Sequence, residues 1–198
     1  MRFERYIFIL LLFAATPASG FMLDFYNCDN PSLLENVEQH HLYRNPYLGV
    51  KEGVKQIIAE KKFVTAANEL RYVLERVPNH PRALEYVAQV SEGLKDPLMG
   101  FFYFKRAVTI YPQYAYTHFQ FGSYLLDVGN VDESIAELNI SVRMDPSLGS
   151  AYAVLAKAYE RKGEIALARK AEEQAKALGY KGVFPDNTAG NPSPGTTD

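Results

Sequence analysis

The chain has 198 residues, 47% of them hydrophobic, with 21 Lys+Arg against 23 Asp+Glu and a formal net charge of −2. Near-neutrality without any Lys/Arg run argues against a nucleic-acid surface. One cysteine cannot build an internal disulfide framework, so the fold must rest on an apolar core. The length suits one elongated domain.

Arg2 and Arg5 precede an apolar run from Tyr6 to Ala15, followed by Thr16, Pro17, Ala18, Ser19 and Gly20. A charged end, a short greasy stretch and a small-residue site have the form of a secretory signal peptide over residues 1–20, cut before Phe21. An uncleaved anchor is the alternative. The run is too short to span a bilayer comfortably, and no long apolar stretch comes after it, so the mature form is expected not to cross a membrane. These features predict an extracytoplasmic protein, with the bacterial periplasm as the simplest location. Cys28 follows Phe25-Tyr26-Asn27, which lacks the small residues of a lipoprotein site. A packed, unpaired thiol is expected there, with an intermolecular bridge or reactive thiol as the rarer option.

Residues 21–46 form a non-repeat segment. In Pro31-Ser32-Leu33-Leu34-Glu35, Ser32 and Glu35 have the spacing of a capping box. Leu33, Leu34, Val37 and His41 then share a helical face. The segment would cover the exposed end of the repeat domain or lie in a groove and compete with a ligand.

Pro78, Pro112 and Pro146 stand at one constant interval. A period of about 34 residues marks stacked helical hairpins. With Pro at position 32, units span residues 47–80, 81–114, 115–148 and 149–181. Small residues recur at position 8 (Ala88, Gly122, Ala156, with Val54 in the first unit), position 20 (Ala66, Gly100, Ser134, Ala168) and position 27 (Ala107, Ser141, Ala175, with Val73). Large apolar residues recur at position 24 as Leu70, Phe104 and Leu138, until Glu172 breaks the series. A terminal unit has no neighbour beyond it, so a polar outer face is expected there. In the third unit a helix is predicted near Tyr116 to Asp127, ended by Gly129-Asn130, and a second near Val131 to Met144, blocked by Pro146. The second unit turns at Lys95-Asp96-Pro97, with Pro97 tolerated at a helix start. Residues 182–198 are rich in Pro, Gly, Asn, Thr and Ser and are expected to be a disordered tail.

Phe121-Gly122, Leu125, Gly129, Leu138 and Pro146 of the third unit, with Tyr152, Leu155, Ala156, Tyr159, Gly163 and Ala168 of the fourth, resemble the tetratricopeptide repeat family over roughly residues 47–180. The resemblance implies an all-α fold, a right-handed α-α superhelix of about four helical hairpins. The first unit departs from the pattern, with Gly53 where Leu is usual and Lys61 where Gly is usual. The family's mode of use implies a binding surface for a protein or peptide partner, not an enzyme.

Catalytic chemistry leaves no motif. There is no Gly-rich phosphate loop, paired Cys motif or H-E-x-x-H, and no cofactor or metal is called for. Adjacent His40 and His41 diverge on a helix, although Glu38 and His41 have the spacing of half a metal site. His80 reads as a turn residue in Asn79-His80-Pro81. His118 takes the place where the family often has Trp, so it is expected to pack between helices. Asn139-Ile140-Ser141 is a glycosylation pattern on a predicted helix, and chance explains it better.

The resemblance also places a binding groove. Family positions 2, 5, 9 and 12 line a concave wall, which here means Arg82, Glu85, Gln89 and Glu92, then Tyr116, Phe119, Ser123 and Leu126, then Lys157 and Glu160. Tyr116, Phe119 and Leu126 are apolar where solvent is expected, a mark of partner surfaces. The functional expectation is an exported adaptor or scaffold that binds a partner segment, in a bacterial envelope assembly or secretion system. The alternative is a glycan or small-ligand module, with Tyr116 and Phe119 as stacking platforms and Arg82, Glu85 and Gln89 as polar contacts.

Overall fold

A computed structural model describes residues 22–28, 30–43 and 53–182. The expected signal peptide, its expected cut before Phe21, and the expected tail beyond Gly182 lie outside the described residues. All regular structure among the described residues is helical: α1 Pro31–Val37, continued by a π-helical turn Glu38–Tyr43, then α2 Gly53–Ala59, α3 Phe63–Arg76, α4 Pro81–Leu94, α5 Pro97–Ile110, α6 Ala115–Asp127, α7 Val131–Met144, α8 Gly149–Lys162 and α9 Ile165–Ala177. The starts of α4, α6 and α8 keep the interval of the three prolines, and so do those of α3, α5, α7 and α9.

The turn inside each hairpin repeats one backbone state. Lys61 (φ 57°), Lys95 (φ 55°), Gly129 (φ 88°) and Gly163 (φ 82°) all occupy the left-handed region at the same repeat position. Glycine enters that region without steric cost and the two lysines do not.

The described chain divides at His80/Pro81 into two compact units. In the first, Asn30 caps α1: its Oδ1 accepts the Leu33 amide at 3.1 Å. The expected cap, Ser32, is therefore displaced into the helix, because Pro31 occupies the first helical position and makes the residue before it the cap. Leu33 is correspondingly exposed, while Val37 and Leu42 are buried. The stretch before α1 lies against the end of α3. The Leu23 amide donates to the Arg76 carbonyl at 2.6 Å. The Phe25 amide donates to Asn79 Oδ1 at 2.9 Å, and Asn79 Nδ2 donates to Asp24 Oδ1 at 2.7 Å.

This stretch changes the role of His80, which is 1% exposed and not a simple turn residue. Its ring packs 4.7 Å from that of Phe25, and its Nε2 meets Glu38 Oε1 at 3.0 Å. His41 Nδ1 pairs instead with Glu69 Oε2 at 2.8 Å while its ring stacks on Tyr72. Glu38 and His41, whose spacing suits half a metal site, thus face different partners. Burial, reinforced by the charge of Glu35, raises the Glu38 pKa above the ordinary carboxylate value.

The second unit stacks three hairpins, α4/α5, α6/α7 and α8/α9. The small recurring positions sit where helices cross. A Cβ on Gly122 would stand 2.6 Å from Leu138 Cγ, and one on Gly100 would collide with the Tyr124 ring. The Tyr124 hydroxyl in turn donates to the Pro97 carbonyl at 2.6 Å and lies 3.0 Å from Ser91 Oγ, which ties α6 to the α4/α5 turn. Ser134 and Ser141 are buried and donate to the Gly122 and Ala115 carbonyls, so their hydroxyls add no unsatisfied group. Asn139 donates to the Ile135 carbonyl and to Tyr159, both within the packed hairpins.

His118 packs between helices, 5% exposed, with Nδ1 2.6 Å from Glu137 Oε2 and Nε2 3.0 Å from the Pro112 carbonyl. Helix α7 offers Ile135, Leu138 and Val142 to the core it shares with Ala151 and Leu155 of α8. At the same repeat positions α9 carries Arg169, Glu172 and Lys176, and the last two form an ion pair with each other.

Candidate functional site

Helices α4 and α6 are neighbours, as are α6 and α8. Gln120 Nε2 on α6 donates to the Pro81 carbonyl at the start of α4 at 2.8 Å, which sets the register of the first pair. Arg82, Glu85 and Gln89 on α4 and Lys157 on α8 have solvent-accessible side chains, and Ser123 on α6 is half-buried. Arg82 and Glu85 form an ion pair with each other at 3.2 Å, both side chains about half exposed. Such a pair adds little to stability.

The centre of this face is aromatic. Tyr116 is 42% exposed and its ring lies 5.4 Å from that of Phe119, tilted by 49°. Residues three apart on a helix share a side, which brings the two rings together. Phe119 is half-buried, its inner edge packed on the core of the third and fourth hairpins. Leu126 does not belong to the open surface: it is 3% exposed and packed among Leu138, Val142, Ala151 and Leu155. The correction follows from helix geometry. Position 12 lies about 80° round the helix from position 2, enough to turn it under α8.

A cavity of about 570 Å³ opens at the C-terminal ends of α4 and α6, at the far end of α6 from the aromatic pair. Gln89 and Glu92 of α4, Lys95 of the turn, and Tyr124, Asp127 and Val128 at the end of α6 line it. Asp127 is the group that sequence reasoning missed. Burial raises its pKa above the ordinary carboxylate value; Arg161 and Lys157 oppose this and Glu92 adds to it. Asp127 lies three helical turns beyond Tyr116, hence on the same side of α6, and that spacing was legible in the sequence. Among the described residues no group of three or more His, Cys, Asp or Glu side chains could hold a metal ion, and no helix is long and apolar enough to cross a membrane.

Residues 119–181 match the family model of the tetratricopeptide repeat. The fold is also found in solved structures. YrrB, a TPR protein with an unusual peptide-binding site, has a TM-score of 0.51 and 19% identity over 64% of this chain and 66% of that chain. MamA gives 0.53 and 18% over 75% and 85%. MamA from Desulfovibrio magneticus RS-1 gives 0.54 and 19% over 76% and 96%. No curated protein sequence matches the chain significantly. The family match places tetratricopeptide repeats across the third and fourth hairpins, and the backbone shared with solved repeat proteins leads to one conclusion: the fold is the all-α superhelix of tetratricopeptide repeats.

Proposed function

We propose that the protein is a non-enzymatic adaptor that holds an extended segment of a protein partner across the shared face of α4, α6 and α8. One observation carries this reading: Tyr116 is exposed and paired with Phe119 at the middle of a face otherwise made of charged and polar side chains. Aromatic groups ringed by polar ones are the usual anchors of protein interfaces. Stacked hairpins supply the rigid bed such recognition needs. The signal-peptide pattern of residues 1–20 supports an extracytoplasmic setting, in the periplasm and in an envelope assembly or secretion system.

The test is capture from a bacterial envelope fraction by wild type and by Tyr116→Ala, with bound proteins identified and their contact segments mapped by crosslinking. Tyr116→Ala is preferred to the double change with Phe119→Ala, because Phe119 also contributes to the core. The expected result is a peptide segment crosslinked to α4 and α6 in wild type and lost in the variant, which keeps its helical signal. Binding to a glycan array, with no protein captured, would replace this reading by the saccharide one. Intact mass of the protein recovered from that fraction checks export: a chain starting at Phe21 is expected, and one retaining residues 1–20 would refute cleavage.

A further inference from the structure

The repeat supplies its own comparison. In the α6/α8 pair, the Arg161 guanidinium of α8 donates to the Leu126 carbonyl at the end of α6. That carbonyl also accepts the amide of Gly129 at 3.1 Å. One repeat earlier, the position of Leu126 is Glu92, that of Gly129 is Lys95, and that of Arg161 is Asp127. The amide hydrogen bond recurs there, from Lys95 to the Glu92 carbonyl at 3.0 Å. The guanidinium does not recur, because Asp127 cannot donate. In its place stands the 570 Å³ cavity, with Glu92 and Asp127 on its wall.

Three sources of negative potential converge on this cavity. Two are the carboxylates of Glu92 and Asp127. The third is the C-terminal end of α4, whose last carbonyls carry the negative pole of the helix dipole. Lys95 is exposed at the wall, as Glu92 and Asp127 are; Arg161 and Lys157 also act on Asp127 but are not among the lining residues, and Arg161 is held at the Leu126 carbonyl.

Resting on the groove function proposed above, we infer that this cavity receives an arginine side chain of the bound segment, which does for α4 what Arg161 does for α6. The geometry also gives the spacing. Asp127 is eleven residues beyond Tyr116, or about 16 Å along the helix. An extended peptide covers that distance in about five residues. The partner segment therefore carries an arginine about five residues from the aromatic or aliphatic side chain that rests on Tyr116 and Phe119.

A positional-scanning library of acetylated, amidated nonapeptides tests this against the full mature chain. The expected result is selection of an apolar residue at one position and of arginine about five positions away. Replacing that arginine by citrulline, which keeps the shape and removes the charge, is expected to weaken binding at least about tenfold, the effect of a charge-assisted hydrogen bond. Asp127→Asn is expected to narrow that gap. Asp127→Arg fills the cavity from within, as Arg161 does next door, and is expected to abolish selection for arginine while keeping selection for the apolar residue. Apolar selection without arginine, or equal binding of the arginine and citrulline peptides, would overturn the inference and leave the groove reading standing. No enrichment at any position would overturn both.

Discussion

Replacing Lys61 and Lys95 together by glycine is expected to stabilise the protein. Both lysines hold φ near +55°, at the position where the third and fourth hairpins have glycine at φ 88° and 82°. A residue with a Cβ in the left-handed region costs roughly 1–2 kcal/mol. Glycine offsets roughly 0.5–1 kcal/mol of that gain through the extra freedom of its unfolded chain. The difference is about 0.5–1 kcal/mol at each site. The sites lie in separate units, so the effects should add to about 1–2 kcal/mol. For a chain of this size that raises Tm by roughly 2–8 °C. Gly129→Ala is the reverse experiment: a Cβ there would meet nothing within 4 Å, so any loss comes from the backbone alone. It should destabilise by about 1 kcal/mol. Urea unfolding followed by circular dichroism at constant m decides the matter. Lysine-to-glycine variants that are no more stable than wild type, together with a neutral Gly129→Ala, would refute the reasoning.

Two further outcomes follow from packing and charge. Gly122→Leu should lower stability by at least about 1–3 kcal/mol, because even its Cβ would press on Leu138, whose backbone nitrogen is 3.2 Å away and cannot yield like a side chain; thermal melting checks this. Burial opposes a charge on His118, but the hydrogen bonds to Glu137 and the Pro112 carbonyl and the charge of Glu137 outweigh it and raise its pKa above the ordinary value. A raised folded-state pKa means that the imidazolium's contribution is complete below about pH 6.5 and is lost as pH rises through the higher folded value. Stability measured from about pH 5.5 to 8.5 should therefore fall more steeply in wild type than in His118→Gln, and equal slopes would count against the pairing.

The repeat register was legible because period and packing share one cause. Helices that cross once in every repeat need small side chains at the crossings, and Ala66, Gly100, Ser134 and Ala168 are all buried. What escaped the sequence lies outside the period. His80 reads as a turn residue until the stretch around Phe25, far earlier in the chain, covers it. Ser32 reads as the cap from its spacing to Glu35, but Pro31 holds the first helical position and makes Asn30 the cap. Leu126 and Tyr116 looked alike as apolar residues at groove positions, but only the depth of α8 beside α6 separates them. The cavity at Glu92 and Asp127 was invisible for a related reason. It arises from an acid at a place where the next repeat has a base, and its meaning appears only once the Arg161 hydrogen bond is seen.

The contrast between α7 and α9 bears on how such a chain can grow. Where α7 offers Ile135, Leu138 and Val142 to its successor, α9 offers Arg169, Glu172 and Lys176. A duplicated hairpin appended after α9 would meet three charged side chains where α7 offers three apolar ones, with Ile165 and Leu167 left as its exposed apolar contacts. One inserted before α8 would meet α7 and dock at once. Lengthening by duplication, in evolution or by design, is thereby favoured between α7 and α8 over the position after α9.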